Sequence, residues 1–256
     1  MIRLVLVGAA GQMGRAVERA ALESGEFVIR SRVDPAAVRA VNESGWSDDV
    51  GGAIAPGDVV VEFSSPAGCR ATARACAASG AGLVSGTTGL GPAEEAELAS
   101  AASRSAVLRA ANFSLGIAAL RRALAAALGA VPASWDIEIV ERHHRRKLDS
   151  PSGTALTLAA DAASRRGIDR ATLRNGREGR VGPRPAQEIG MHAVRGGSWV
   201  GDHEVLLAGD GEWIELRHVA SDRAAFAHGA LAAARFVASA PPGLYTLDDA
   251  LSAPGR

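Results

Sequence analysis

Cysteine, lysine and long apolar runs are scarce in this sequence of 256 residues, and the first and last of these scarcities exclude classes of protein. The only two cysteines, Cys69 and Cys76, lie in an alanine-rich helical pattern that fits neither a disulfide framework nor a metal cluster. No stretch approaches the roughly 20 apolar residues of a membrane span, and the apolar start, residues 1–7, is too short for a signal peptide. The formal net charge is zero, so charge favours neither nucleic acid nor membrane as a partner. We therefore expect a cytoplasmic protein that binds neither.

Lysine is the scarcest charged residue: the chain has 27 arginines and one lysine, Lys147. The lysine ammonium is compact and its pKa shifts readily, whereas the arginine guanidinium is planar and does not deprotonate usefully. Lys147 lies inside the densest polar stretch of the chain. This position predicts a role that arginine cannot fill.

The first half of the chain alternates short apolar runs with helical patterns. Strands are predicted at 2–7, 27–33, 58–63, 82–85 and 107–110, and helices at 15–24 and 67–79. Strands that alternate with helices predict an α/β fold with a Rossmann-like, doubly wound parallel sheet.

The pattern changes after residue 112. Helices are predicted at 115–128 and after Pro151, and alternating strands at 135–141, 188–194, 203–208 and 213–218, followed by a helix at 224–238. These segments indicate a smaller α+β substrate and oligomerisation domain with an open mixed, mostly antiparallel sheet. We place the dinucleotide-binding domain at 1–114 and 224–256 and the second domain at 115–223, and we expect the Gly/Arg-rich stretch 175–184 to be a mobile loop.

A glycine-rich turn follows the first strand. Gly8, Gly11 and Gly14 permit a tight turn in which backbone amides and a helix N-terminus approach a pyrophosphate. Asp34 comes twenty residues later, at the end of the second predicted strand, where an acid suits the ribose hydroxyl of NAD and repels the phosphate of NADP. Arg15, Arg32 and Arg39 lie near enough in sequence to favour a phosphate instead. NADH is therefore favoured as cofactor, with NADPH left open.

The stretch from Glu138 to Thr154 holds the most chemistry. Histidine is the natural proton donor near neutral pH, and two adjacent histidines, His143 and His144, occur here. The Ser-Gly-Thr turn at 152–154 opens a helix whose amides can hold a carboxylate. We expect no metal site, because adjacent histidines on a strand point to opposite faces and no further ligand is suitably spaced. A solvated basic loop is the remaining alternative.

The same stretch, ERHHRRKLDSPSGTA, resembles the signature of the dihydrodipicolinate reductase family. The likeness covers nearly the whole chain and includes these further segments: GAAGQMG at 8–14, FSSP at 63–66, GTTG at 86–89, AANFS at 110–114, and the Ser-Asp-Arg segment at 221–229. The central signature is specific, whereas the glycine motif alone is not.

The resemblance implies the NAD(P)H-dependent reduction of 4-hydroxy-tetrahydrodipicolinate to tetrahydrodipicolinate in lysine and diaminopimelate biosynthesis. It implies that His143 is the general acid and Lys147 its partner in proton donation. The small dicarboxylate substrate would be held by His144, Ser152, Gly153 and Thr154. The cofactor would contact Gly8, Ala9, Ala10, Gly11, Gln12, Met13, Asp34, Phe63, Gly86, Thr87, Thr88, Ala110, Ala111, Asn112 and Phe113. Members are usually homotetramers joined through the sheets of the second domain, so a homotetramer is expected.

Three residues depart from the family pattern. Gln12 stands where many members have arginine, and Pro35 follows Asp34 where members that tolerate NADPH often have arginine. Both favour NADH. Ser150 replaces the common alanine before Pro151, a small change that should be tolerated.

Two other functions remain possible at this point. An imine reductase recruited from the family would not need the two-carboxylate set, and a non-catalytic dinucleotide-binding regulator would not need His143 and Lys147. A homoserine- or aspartate-semialdehyde-type dehydrogenase would lack the His-His-x-x-Lys signature. The remaining histidines, 192, 203, 218 and 228, are expected on sheet or helix surfaces, and the role of Arg223 is undecided.

Overall fold

The computed structural model describes residues 1–35, 45–169 and 172–252, and the chain divides into two compact units. The first unit comprises Met1–Leu115 and the chain from Arg223 onward, and the second comprises Gly116–Asp222. The sequence-based division places the two boundaries after residues 114 and 223. The second unit is thus an insertion between two segments of the first.

The first unit is built on a parallel sheet of seven strands. The strands are β1 Ile2–Val7, β2 Phe27–Val33, β3 Trp46–Ser47, β4 Val59–Glu62, β5 Gly82–Ser85, β6 Ala106–Arg109 and β12 Gly243–Tyr245, in the order β12-β6-β5-β4-β1-β2-β3. Every pairing between neighbouring strands is parallel. The predicted doubly wound sheet is confirmed, and its order reverses direction between β1 and β4.

Helices cover both faces of this sheet. They are α1 Gln12–Ser24, α2 Val50–Ala53, α3 Pro66–Ser79, α4 Pro92–Ala101, α7 Ala224–Val237 and α8 Leu247–Ser252. Successive side chains of β1 alternate between the faces. Leu4 and Leu6 therefore belong to the apolar cluster under α1 and α7, and Val5 and Val7 to the cluster under α3 and α4. This two-sided burial explains why β1 is apolar throughout.

The second unit has a mixed sheet of five strands and two helices. These elements are α5 Leu115–Ala130, β7 Asp136–His143, α6 Gly153–Arg166, β8 Leu173–Asn175, β9 Ile189–Arg195, β10 Gly201–Gly209 and β11 Glu212–Ala220. The strand order is β11-β10-β7-β9-β8. The predicted mixed sheet is confirmed: β10 pairs antiparallel with β11 and β7, whereas β9 pairs parallel with β7 and β8. Strand β9 runs parallel to β7, from which the crossover helix α6 separates it in the chain, and it also runs parallel to β8, from which residues 176–188 separate it.

Alternation along β7 decides which of its residues are buried. Ile137 and Ile139 enter the apolar core with residues of α5 and α6. The next positions on the same face are Glu141, with no exposed surface, and His143, which is 8% exposed. The core face of this strand therefore ends in a carboxylate and an imidazole.

Glu138, on the opposite face of β7, anchors the Gly/Arg-rich stretch that was expected to be mobile. Arg177 and Arg184 both donate to its carboxylate, at 2.8 and 2.9 Å to Oε1. Arg184 also donates to the carbonyl oxygen of Ile137, at 3.0 Å. The stretch is therefore tethered to the sheet through two arginines, which the composition of a glycine-rich loop did not reveal.

The sequence-based assignment of helices in the first unit differs from the structure at α1, whose start was misplaced, and at α4, which was missed. Helix α1 begins at Gln12, three residues before its predicted start, because Gly14 lies in its first turn and was taken for a loop residue. Helix α4 was missed, since its apolar and polar residues are nearly evenly spread around its axis. No helix within the described ranges combines the length and the apolarity needed to cross a bilayer.

Candidate active site

The turn after β1 has the shape that phosphate binding requires. Gly8 has a φ of +77°, and a Cβ atom there would overlap the backbone carbonyl of Phe63. Its amide donates to the carbonyl of Val33 at 2.9 Å, and the amide of Gly11 donates to the carbonyl of Gly8 at 3.0 Å. The turn is held close to the ends of β2 and β4, with the N-terminus of α1 directly after it.

Asp34 lies half-buried at the end of β2 and supports this turn. One carboxylate oxygen accepts a hydrogen bond from the amide of Ala10, at 3.1 Å. Arg32, two residues earlier, is paired with Glu18 of α1, with 2.7 Å between Nε and Oε1. Arg15 is exposed, and Arg39 lies outside the described residues. The cation closest in sequence to Asp34 is thus already neutralised by a carboxylate.

A cleft of about 510 Å³ opens at the carboxyl ends of the strands of the first unit. It is lined by Gly11, Gln12, Met13, Phe63, Ser64, Gly86, Thr87, Thr88, Ala111, Asn112, Phe113, Arg223 and Phe226. Most of these residues follow β1, β4, β5 and β6, whereas Arg223 directly precedes α7 and Phe226 lies in its first turn. The reversal of strand order between β1 and β4 is where doubly wound sheets bind dinucleotides, so the glycine turn and the cleft fit a nicotinamide dinucleotide.

Ten of the fifteen predicted cofactor residues line this cleft. Gly8, Ala9, Ala10, Asp34 and Ala110 do not line it; the first four form and support the glycine turn beside it. The rings of Phe63 and Phe113 meet edge to face, with 5.5 Å between their centres. A Cβ atom on Gly86 would overlap the ring of Phe63, so glycine at this position leaves room for the aromatic wall.

Glu62 is a buried acid of this unit, at the end of β4, with no exposed surface. Its carboxylate accepts hydrogen bonds from the amide of Ser64 at 2.7 Å, from the hydroxyl of Ser85 at 2.9 Å and from the hydroxyl of Thr87. The Thr87 hydroxyl in turn accepts from the amide of Ser64 at 2.9 Å. One carboxylate therefore joins the loops after β4 and β5, which form two walls of the cleft.

The second unit brings Glu141, His143 and Arg195 together. His143 Nδ1 lies 2.6 Å from Glu141 Oε2, and Arg195 binds both oxygens of Glu141 at 2.8 Å each. Burial lowers the pKa of His143 below its usual range, although the Glu141 carboxylate acts in the opposite direction. The imidazole is therefore neutral near pH 7 in this environment.

Ser152 and His203 extend this group. The amide of Ser152 donates to the other Glu141 oxygen at 3.0 Å, and its hydroxyl caps α6 by accepting from the amide of Ala155 at 3.2 Å. His203 Nε2 lies 3.1 Å from the same hydroxyl, and the His203 ring meets that of His143 edge to face at 5.1 Å. Burial lowers the pKa of His203 to about 4, so its charge does not compete with that of His143.

The remaining predicted residues lie on the loop after β7 and at the start of α6. The Lys147 ammonium pairs with Asp149 at 2.8 Å, and the Lys147 amide closes a turn onto the carbonyl of His144 at 3.0 Å. Gly153 is exposed and Thr154 half-buried in the first turn of α6. Within the described residues, no group of three or more His, Cys, Asp or Glu side chains has a metal-binding arrangement.

Comparison with known proteins finds the same family in both halves of the chain. The family profile described as the N-terminus of dihydrodipicolinate reductase matches residues 2–113, and the profile of its C-terminus matches residues 116–251. The chain belongs to the dihydrodipicolinate reductase family.

Relatives of this reductase family align over nearly their full length. A 4-hydroxy-tetrahydrodipicolinate reductase of Cereibacter sphaeroides is 41% identical over 97% of each chain. The enzyme of the same name from Halorhodospira halophila is 40% identical over 95% of this chain and 96% of its own. The chain is accordingly an NAD(P)H-dependent oxidoreductase, and a nicotinamide dinucleotide is its cofactor.

Solved structures share the fold of this reductase. Dipicolinate-bound dihydrodipicolinate reductase from Paenisporosarcina sp. TG-14 superposes with a TM-score of 0.77 at 24% identity, covering 96% of this chain and 97% of its own. An amine dehydrogenase from Mycobacterium smegmatis gives a TM-score of 0.62 at 16% identity, covering 96% and 95%. At these identities the likeness concerns the fold alone.

Sequence reasoning assigned no role to several residues at the cleft of the first unit and in the group around Glu141 in the second unit. Glu62, Arg195 and Arg223 were given none, and His203 was expected on a sheet or helix surface but is 3% exposed. Glu141 could have been singled out: it falls on the apolar phase of β7, with Ile137 and Ile139, where a carboxylate needs a partner. Arg195 offered no comparable signal, because its partner lies 54 positions away in the sequence.

The Glu62 hydrogen bonds predict an effect on dinucleotide binding. In the variant Glu62→Gln the carboxylate that accepts from four donors, including the Ser64 hydroxyl, becomes an amide, so the walls of the cleft lose their fixed spacing. We expect the Kd for NADH, measured by fluorescence titration, to rise by roughly tenfold while secondary structure persists.

Asp58→Asn is the matched control, since Asp58 is equally buried at the other end of β4 and binds Arg3 and Arg30 at 2.9 and 2.7 Å. It should lower stability without weakening NADH binding. Equal Kd values for Glu62→Gln and the wild type would show that Glu62 does not organise the cleft.

Proposed function

We propose that this protein reduces the cyclic product derived from 4-hydroxy-tetrahydrodipicolinate to tetrahydrodipicolinate, in lysine and diaminopimelate biosynthesis. The main support is the buried Glu141–His143 pair, which lies beside the N-terminus of α6. The residues of the family signature thus bring a candidate proton donor close to a turn suited to binding a carboxylate. Relatives about 40% identical carry the name of this activity.

The reaction adds one hydride and one proton to the substrate ring. The protein's own residues supply the proton. A bound reduced nicotinamide dinucleotide supplies the hydride. His143 is the proton donor in our proposal, and Lys147, held by Asp149 at 2.8 Å, is its partner. A dianionic substrate raises the pKa of a nearby imidazole, so its arrival would favour the protonated form that burial otherwise opposes.

The carboxylates of the substrate are assigned to the turn at the start of α6. Gly153 and Thr154 lie in the first turn of this helix, where backbone amides and the helix dipole favour an anion. The Ser152 hydroxyl already accepts from Ala155, so its cap holds the turn in the conformation that presents these amides. His144, directly after β7, would complete the set.

Three features support NADH over NADPH. Asp34 places a carboxylate at the end of β2, beside the glycine turn, where it would accept from a ribose hydroxyl and repel a phosphate. Arg32, which could favour the phosphate, is bound by Glu18. Pro35 offers no charge at the position where arginine occurs in members that tolerate NADPH.

A homotetramer is proposed as the functional assembly, with the outer face of the second unit's sheet as the interface. This proposal rests on the family resemblance. The face exposes apolar side chains, including Trp213 at 66% and Val219 at 57% exposure. A cytoplasmic location remains a prediction.

The proposed activity is tested by a coupled assay in which dihydrodipicolinate synthase makes the substrate in place and dinucleotide oxidation is followed at ~340 nm. Rapid oxidation that depends on the substrate supports the activity. If the folded protein binds dinucleotide but oxidises neither NADH nor NADPH, the reaction proposed here is wrong, and the recruited imine reductase or the regulator takes its place.

His143→Gln tests the proton donor. Removal of the general acid should reduce kcat by roughly 10²- to 10⁴-fold, the usual contribution of such a group. The Kd for the dinucleotide should stay unchanged, because His143 belongs to the second unit and the glycine turn to the first. Wild-type turnover in this variant would remove His143 from the mechanism.

Lys147→Arg tests why the chain keeps a single lysine. The substitution preserves the charge but replaces a compact proton-donating ammonium by a guanidinium that stays protonated. We expect kcat to fall by at least tenfold, whereas the reciprocal change at the exposed neighbour, Arg146→Lys, should have no effect. Equal activity of Lys147→Arg and the wild type would contradict a role in proton donation.

Asp34→Ala tests the cofactor preference. Loss of the ribose contact should raise the KM for NADH more than that for NADPH, so the ratio of the two kcat/KM values should move towards NADPH. The variant also loses the hydrogen bond from Ala10, which affects both cofactors alike. An unchanged ratio would mean that Asp34 only supports the glycine turn.

A further inference from the structure

We propose that Glu141 is a positioning residue for the proton donor. In this inference Glu141 holds the neutral His143 ring with its proton on Nδ1, leaves Nε2 as the atom that takes up and delivers the transferred proton, and ties this ring to the start of α6. The inference rests on the proposed function and adds to it a residue that acts through another.

The carboxylate of Glu141 is saturated with donors. Oε2 lies 2.6 Å from His143 Nδ1 and 2.8 Å from Arg195 Nη1, and Oε1 lies 2.8 Å from Arg195 Nη2 and 3.0 Å from the amide of Ser152. Arg195 Nη2 also donates to the carbonyl of Asp149 at 2.7 Å. The buried acid is therefore fixed from three sides, by β7, by β9 and by the residue that caps α6.

These partners decide the position of the histidine proton. An arginine and a backbone amide can only donate, so their bonds favour the ionised carboxylate. Burial acts to raise the pKa of Glu141, but the hydrogen bonds from Arg195 and His143 hold that pKa below its usual value. An ionised carboxylate only accepts, hence the 2.6 Å contact requires a proton on Nδ1 of His143.

Glu141 also stabilises the charged form of His143. Four titratable groups face this imidazole: Glu141 on β7, Arg195 on β9, His203 on β10, and Lys147 on the loop after β7. Lys147 and Arg195 are cations that lower the pKa of His143, and His203 is neutral. Of these four groups Glu141 alone is an anion, so it alone favours the imidazolium that a proton donor must become.

The same carboxylate couples the proton donor to the turn assigned to the substrate. Oε1 holds the amide of Ser152, whose hydroxyl caps α6, while Oε2 holds His143. A shift of Glu141 would therefore move the acid and the start of the helix together. Small misplacements of this kind cost rate even where binding survives.

The chain contains a matched control on the same strand. Glu138 lies three positions earlier on the opposite face of β7 and also binds two arginines, Arg177 and Arg184, and a histidine, His192, at 2.7 Å. Replacing Glu138 by glutamine thus makes the same chemical change in a similar set of partners, away from His143.

The first experiment compares Glu141→Gln with Glu138→Gln by the pH dependence of kcat. A general acid is active while protonated, so activity falls as pH rises through its pKa; loss of the Glu141 charge lowers that pKa. In Glu141→Gln the alkaline limb should move down by roughly 1 to 2 pH units, and kcat at pH 7 should fall about 10- to 100-fold.

The KM for the substrate in Glu141→Gln should change by less than about threefold, because the amide oxygen can still accept from Ser152. Glu138→Gln should keep the wild-type pH dependence of kcat. Light scattering should verify that this variant has the same oligomeric state as the wild type. A wild-type profile in folded Glu141→Gln would overturn the inference, and so would the same shift in Glu138→Gln.

The second experiment uses the wild-type protein and needs no activity. Two-bond ¹H–¹⁵N spectra of histidine-labelled protein distinguish the two neutral tautomers, and His143→Gln assigns the signal of His143. The Nδ1-protonated form is expected above the pKa of His143, and the Nε2-protonated form would overturn the inference.

This tautomer measurement still tests the positioning role of Glu141 if the variant Glu141→Gln fails to fold. A protein that shows the Nδ1-protonated form yet reduces no substrate with NADH or NADPH would leave the positioning role in place and refute the proposed function. Failure of the positioning role and failure of the proposed function therefore give different results.

Discussion

A carboxylate can be buried only where donors surround it, and this constraint organises both halves of the reductase. The penalty for an unpaired buried charge is large, so the chain must bring amides, hydroxyls or arginines to it from several directions. Glu62 gathers donors from the loops after β4 and β5, and Glu141 gathers them from β9 and the start of α6. In each unit the acid lies at or near the end of a strand, where the functional loops begin.

The two acids act on different kinds of partner. The partners of Glu62 are neutral donors of serine and threonine, so this acid fixes the distance between two loops that line the cleft. Glu141 has a histidine and an arginine among its partners, so it sets a protonation state as well as a position. The first arrangement suits a binding surface, and the second suits a group that must change charge during a reaction.

Family, fold class and most of the residues that line the cleft of the first unit could be predicted from the sequence because they depend on local patterns. The apolar strand β1, the glycine turn and Asp34 lie within 33 residues, and each is recognisable from its neighbours. His143, Lys147 and the Ser-Gly-Thr turn form one short signature in the same way. The parallel pairing of β9 and the arginine tethers of the stretch 175–184 were not predicted, because both arise from contacts between distant segments.

The sequence by itself determined that this chain is a two-part α/β dinucleotide enzyme of a recognisable family, since glycine spacing, strand alternation and the central signature are short-range properties of the chain. Only the tertiary structure decided which side chains complete the chemistry. Arg195 reaches Glu141 across 54 positions and His203 reaches Ser152 across 51. The physical reason is that strand register, not sequence distance, brings these groups to one buried carboxylate and one helix cap.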